Sequence, residues 1–200
     1  FSELRLIVFT IPSRRYSKRG QMTKQPDTTR KTILGAASHV TARDGALNLT
    51  LEAVAKEAGV SKGGLLYHFP NKEALISSMI DEHLESWSKA VEAEKDTAKG
   101  AFTRAFVKTT VNPAQLETEL ASGLLAAVAL NPDLLEPVKK HYGAWQKELE
   151  QDGINPVTAT LVRLAADGLY FAEIFDLAPP KGKLRKQLEK RLLEMTKGKA

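Results

Sequence analysis

The stretch TLEAVAKEAGVSKGGLLYHFPNKEAL, residues 50–75, decides the fold. Thr50 is a good N-cap, and the acid Glu52 sits in the first turn of a helix that runs over Leu51–Ala58 and stops at Gly59. Ser61 caps a second short helix that reaches about Tyr67. Ala55 and Gly59 lie four apart: helices that cross steeply need a small residue at the contact, and the turn needs one that tolerates positive φ. Leu51, Val54, Ala58, Val60 and Leu65 supply an apolar seam between the two helices. Ser61, Lys62, Tyr67 and His68 remain for the opposite face. This spacing predicts a helix-turn-helix.

The same pattern continues on both sides. Upstream, Ile33, Leu34, Ala37 and Val40 fall at helical spacing over residues 28–43. Asp27 or Thr28 can cap that helix, and Asp44-Gly45 ends it. Downstream, Pro70-Asn71 breaks the chain. Asn71 then caps a long helix over residues 72–95 with Leu75, Met79, Ile80, His83, Leu84 and Trp87 on one side. Further helices are predicted near 97–111, 114–130, 134–151, 156–177 and 182–197. Asn112-Pro113, Asn131-Pro132, Asp152-Gly153 and Pro179-Pro180 separate them. No segment alternates with strand period, so the expected fold is all-α with about nine helices.

Composition narrows the function classes. The apolar fraction of 42% suffices for a sizeable core. The chain has no cysteine, which removes disulfides, thiolate metal sites and a cysteine nucleophile, and fits a reducing, cytoplasmic setting. The four histidines, His39, His68, His83 and His141, form no His-Glu-x-x-His pair. No Gly-x-Ser-x-Gly, phosphate-binding loop or dinucleotide fingerprint occurs, so neither an enzyme nor a bound cofactor or metal is expected. No apolar run approaches the ~20 residues that span a bilayer, and no membrane partner is expected.

The net charge of +5 misleads. Residues 1–21 hold five basic residues and one acid, so they carry +4 of it. The first 26 residues read as a tail, and Met22 as the biological start, which makes 1–21 foreign to the native protein. The alternatives are a basic arm or a disordered extension.

The string VSKGGLLYHFPNKEAL, Val60–Leu75, resembles the TetR-type regulators, whose hallmark is close to V-S-x-G-x-[LI]-Y-x-[HY]-F-x-[SN]-K-E-x-L. The likeness extends over about Thr29–Trp87. It implies a DNA-binding domain over 27–87 and a helical ligand-binding and dimerisation domain over 88–200. The helix Ser61–Tyr67 would enter the major groove. Thr50 would bond a phosphate, Ser61 and Lys62 a phosphate or base edge, Tyr67 and His68 the DNA backbone, and Lys72 a further phosphate. Gly64 stands where relatives often carry Thr, Ala or Ser, and Leu66 where many carry Tyr. Reading would then rest on Lys62, on close approach of the backbone at Gly63-Gly64, or on DNA shape.

The resemblance also implies a homodimer and a small effector. Leu161, Leu164, Gly168 and Phe171 form one stripe, and Leu184, Leu188 and Leu192 another. Together they could build a four-helix interface or face the protomer's own core. An apolar effector pocket is expected among Met79, His83, Trp87, Phe102, Phe106, Leu124, Tyr142, Trp145, Tyr170, Phe171 and Phe175. Its polar anchors would come from Glu119, His141, Gln146, Asp167 and Glu173. The functional expectation is a ligand-responsive repressor that binds a palindromic operator as a dimer and is released by a hydrophobic molecule. The alternatives are an activator of the same type and a helical interaction protein with weakened DNA binding.

Overall fold

A computed structural model describes residues 26–46, 48–112 and 115–197. The reading of residues 1–21 lies outside the described residues. Those described form nine α-helices and no strand. They are α1 (Pro26–Asp44), α2 (Leu51–Ala58), α3 (Lys62–His68), α4 (Lys72–Glu94), α5 (Ala101–Val111), α6 (Gln115–Leu130), α7 (Leu135–Glu150), α8 (Pro156–Ile174) and α9 (Gly182–Met195), with a 3-10 turn at Pro132–Leu134. The all-α expectation holds.

Two helix ends differ from expectation by three residues or more, both for backbone reasons. The fifth helix starts at Ala101 rather than near residue 97, because Gly100 takes a left-handed φ of 77°. Its first amides are then capped from a distance. Asp152 accepts the Phe102 and Thr103 N–H groups at 3.0 and 2.7 Å, and the Thr103 hydroxyl at 2.6 Å. The eighth helix stops at Ile174 rather than 177, because Asp176 and Ala178 both adopt positive φ, at 50° and 48°.

The side chains fill two cores. The first gathers Ile33, Leu34, Ala37 and Val40 of α1, Val54 of α2, Leu65 and Phe69 around α3, and Leu75, Ile76, Met79 and Ile80 of α4. Leu124 and Ala127 of α6 and Leu134 join this core from outside the amino-terminal half. The close approach of α6 needs Gly123: a Cβ there would stand 3.0 Å from Thr41 Cγ2 and 3.7 Å from Ala46 Cβ. The second core combines Val91 of α4 with Phe102, Phe106 and Val107 of α5, Trp145 and Leu149 of α7, Val162 and Leu169 of α8, and Leu192 of α9. Both cores share α4, with Leu84 packed against each.

Candidate nucleic-acid interface

The first three helices and the start of α4 present one polar face, held from below by local capping. The Thr50 hydroxyl oxygen accepts the Ala53 N–H at 3.1 Å, which leaves its O–H to donate outward. Gly59 caps α2 at φ 64°, and Val60 N–H returns to Ala55 O at 3.0 Å. Ser61 Oγ accepts the Gly64 N–H at 3.0 Å, and Asn71 Oδ1 accepts the Ala74 N–H at 2.7 Å. Each such cap contributes on the order of 1 kcal/mol, a large share of what a seven-residue helix needs. Leu65 and Phe69 anchor α3 in the core at 0% and 2% exposure.

On the outer face Thr50, Ser61, Lys62 and Gly63 are exposed, Gly64, His68 and Lys72 half-buried, and Tyr67 is 81% exposed. An aromatic that open fills no core site. The residues expected to meet DNA are therefore open or half-buried, and none of them belongs to either core. The Tyr67 ring meets His68 edge-on at 5.1 Å, and His68 lies 6.4 Å from Phe69.

Two residues of this surface escaped sequence reasoning. Lys62 Nζ is hydrogen-bonded to the Glu52 carboxylate of α2, so this cation, expected to meet DNA, has a partner on its own protein. The Arg30 guanidinium of α1 lies 5.4 Å over the Phe69 ring. Glu52 reads only as a first-turn acid, and nothing in its own segment singles out Arg30. No local signal shows that either reaches α3.

The face combines hydroxyls, cations and a phenol on a helix pair that crosses at a glycine turn. Such a surface suits a polyanion, and the arrangement defines a helix-turn-helix DNA-binding transcription regulator. Residues 33–79 match the family model described as bacterial regulatory proteins, tetR family, and residues 100–197 that described as tetracyclin repressor-like, C-terminal domain. The chain is 33% identical over 90 residues to the HTH-type transcriptional regulator RutR of Escherichia coli K12, a stretch that covers 44% of this chain and 42% of RutR. A solved transcriptional regulator of Streptomyces coelicolor A3(2) superposes with a TM-score of 0.69 at 20% identity, covering 84% of this chain and 98% of that one. The multidrug binding protein EbrR complexed with ethidium gives 0.63 at 22%, covering 84% and 98%. The chain belongs to the TetR family of transcriptional regulators.

The residues expected to line a pocket divide among three places. Met79 and Leu124 pack in the first core, 2% and 4% exposed, because α6 folds back onto α1 rather than toward the aromatics. Trp87, Phe102, Phe106, Tyr142 and Trp145 form one group between α4, α5 and α7. Trp87 stands 4.3 Å from Trp145 and 4.8 Å from Phe106, and Tyr142 4.9 Å from Trp145. Tyr170, Phe171 and Phe175 run along α8 instead, with Phe171 stacked 6.3 Å from Phe175. His83 is half-buried on α4, and the side chain of Glu119 lies outside the described residues. An open groove of about 360 Å³ between α4 and α7, lined by Ser77, Ser78, Asp81, Glu136, Pro137 and Lys140, is polar rather than apolar.

A polar cluster borders the aromatic group. Arg163 donates to Asp167 at 3.1 Å, Tyr142 stands 3.5 Å from the same carboxyl, and Gln146 donates to Thr160 at 2.9 Å. Burial pushes Asp167 up to about 6, although Arg163 works against it. Burial and the neighbouring Asp167 raise the Tyr142 phenol well above its ordinary value. Gln146 Oε1 and Arg163 Nε are buried without a hydrogen-bond partner among the described residues.

Of the stripes, Leu161 and Leu164 are 54% and 53% exposed and Leu184 62%; Gly168 is also exposed and Phe171 half-buried. Leu188 is half-buried, and Leu192, 3% exposed, turns into the protomer's own core. The spacing of α9 places Leu192 on the side that meets α5 and α8, so it cannot face a second subunit.

Proposed function

We propose that this regulator is a ligand-responsive repressor. It binds a palindromic operator as a homodimer and leaves it when a small hydrophobic effector binds the carboxy-terminal half. In this reading the DNA-binding unit spans 27–87, the sensor and dimerisation unit spans 88–200, and the protein acts without catalysis at the bacterial nucleoid. Thr50, Ser61, Lys62, Tyr67, His68 and Lys72 hold the DNA, with the backbone at Gly63 and Gly64.

The observation that carries this reading is the course of α4. It is one unbroken helix of 23 residues. Its early turns bury Leu75, Ile76, Met79 and Ile80 in the reading head. Its last turns put Trp87 and Val91 against the second core. A molecule that repacks the second core must move the helix on which the head is mounted. Two heads in a dimer must match half-sites ~34 Å apart, and a tilt of α4 spoils that spacing. To clear most operators the effector must favour the released state by several kcal/mol, roughly 5 for a near-complete switch.

The effector site proposed here lies where Tyr142, which packs on Trp145 and through it on Trp87, meets the Arg163–Asp167 pair. The rings offer an apolar, polarisable wall, and the unpaired Gln146 Oε1 and Arg163 Nε offer one acceptor and one donor. The shared fold of EbrR, a multidrug binding protein complexed with ethidium, supports a flat aromatic ligand. The exposed leucines of α8 and α9 support the dimer.

A random-sequence selection on the full chain would supply the operator. A labelled operator then reports release in a screen of planar apolar compounds. Recovery of a two-fold-symmetric sequence, and a compound that lowers its affinity at least tenfold, support the proposal. An asymmetric half-site, or affinity unmoved by every compound that raises the unfolding temperature, overturns it.

A further inference from the structure

The first helix brings a cation to the reading head from outside the helix-turn-helix. Phe69, 2% exposed, ends α3, and its N–H closes on Leu65 O at 2.9 Å. Its buried ring supports Arg30 at 5.4 Å. On the same strip of chain Phe69 neighbours His68, and His68 neighbours Tyr67, whose ring is the most open on the face. The Arg30 guanidinium thus stands at one end of a row of rings that leads onto the exposed face of α3.

Three features separate this arginine from an ordinary solvated charge. It is exposed, yet held in place by a side chain that cannot move without opening the core. Among the described side chains no carboxylate pairs with it, in contrast to Lys62, Arg43, Arg104 and Arg185. A guanidinium held by a ring face spends none of its N–H donors in that contact, so the planar fork that suits a phosphate stays available.

We infer that Arg30 is a phosphate-binding residue of the DNA interface, extending the footprint from α3 and the start of α4 onto α1. Phe69 is then the positioning residue that fixes the guanidinium at the end of α3. The inference rests on the DNA-binding reading of the α3 face.

The test uses the full chain and a labelled random-sequence duplex, with binding followed by anisotropy over a salt series. Each phosphate neutralised contributes ~0.9 to the slope of log affinity against log salt. Arg30→Gln is expected to lower that slope by about one, so its deficit against the wild type shrinks roughly threefold between 50 and 200 mM salt. Arg30→Lys is expected to keep the slope but bind more weakly, because an ammonium lacks the fork. Lys186→Gln, an exposed charge on α9, controls for loss of any positive charge. A slope for Arg30→Gln equal to the wild type overturns the inference, as does an equal drop for Lys186→Gln or a lost slope for Arg30→Lys. A wild-type protein with no salt-dependent binding overturns the DNA reading itself, and so is told apart from failure of the Arg30 contact.

Discussion

Lys62, the first residue of the reading helix, donates to the carboxylate of Glu52 on the supporting helix. That hydrogen bond, with lesser help from the helix backbone and the lysine's charge, holds Glu52 below the usual carboxylate range. Both side chains are mostly exposed, at 63% for Glu52 and 59% for Lys62. Such a pair adds little to stability. Its consequence is electrostatic: the cation proposed to meet DNA comes with an anion beside it.

Glu52→Gln should therefore leave the unfolding temperature unchanged while raising affinity for random-sequence duplex several-fold. Discrimination between operator and random DNA should stay as it is, since a gain independent of sequence raises both affinities alike. Anisotropy titrations against both duplexes check this. Equal affinities for variant and wild type would show that Lys62 leaves Glu52 on binding at no net cost.

Gly63 sits inside α3 with nothing within 4 Å of the place a Cβ would take. Gly63→Ala should stabilise the protein by roughly 0.5–1 kcal/mol, because glycine is the poorer helix former and the site is open. If DNA is approached by the backbone there, the same methyl should cost at least tenfold in operator affinity. Urea unfolding and anisotropy together separate the two effects. Gly64 is a tighter site, with Ser61 Oγ 3.2 Å from the added carbon, so Gly64→Ala also presses on the cap of α3.

Leu161 and Leu164 stand half-open on α8, whereas Leu192 is buried. Leu161→Asp or Leu164→Asp should convert a dimer to a monomer in sedimentation velocity while the far-ultraviolet dichroism stays intact. Leu192→Ala should instead lose about 2–5 kcal/mol in unfolding, as a core truncation does. Dissociation without unfolding on Leu192→Ala would place α9 differently from the arrangement described.

Asp167, with its carboxyl raised to about 6 by burial, sets a pH dependence. The folded state holds this proton more tightly than the unfolded chain, whose aspartates titrate near 4. Stability from this group is therefore greatest below pH ~4, falls as pH rises to ~6, and is level above. Asp167→Asn should flatten that fall, gaining on the wild type by about 2 kcal/mol between pH 4 and pH 7. Urea denaturation at the two pH values measures it. A gap that does not widen with pH would mean the Arg163 pair outweighs burial.

Much of the architecture was readable in advance because its causes are local. Thr50, Ser61 and Asn71 each cap an amide three residues on, Gly59 turns the chain at its own φ, and apolar residues repeat with the helix. Such features announce nine helices and the helix-turn-helix from residue order alone. The misplaced ends of the fifth and eighth helices have causes the periodicity does not carry: a distant cap at Asp152 and two left-handed residues after Ile174.

What the sequence by itself determined is therefore the set of helices and the polar face of α3, since capping and the 3.6-residue period act within a few residues. Only the tertiary structure decided which apolar stripe meets which. Met79 and Leu124 joined the reading head, Leu192 turned inward while Leu161 and Leu164 stayed open, and Arg30 came to rest on Phe69. A helix's period shows that it has an apolar face, but the partner of that face is settled only when all the helices pack together. At that point a single glycine such as Gly123 determines how near two of them can lie.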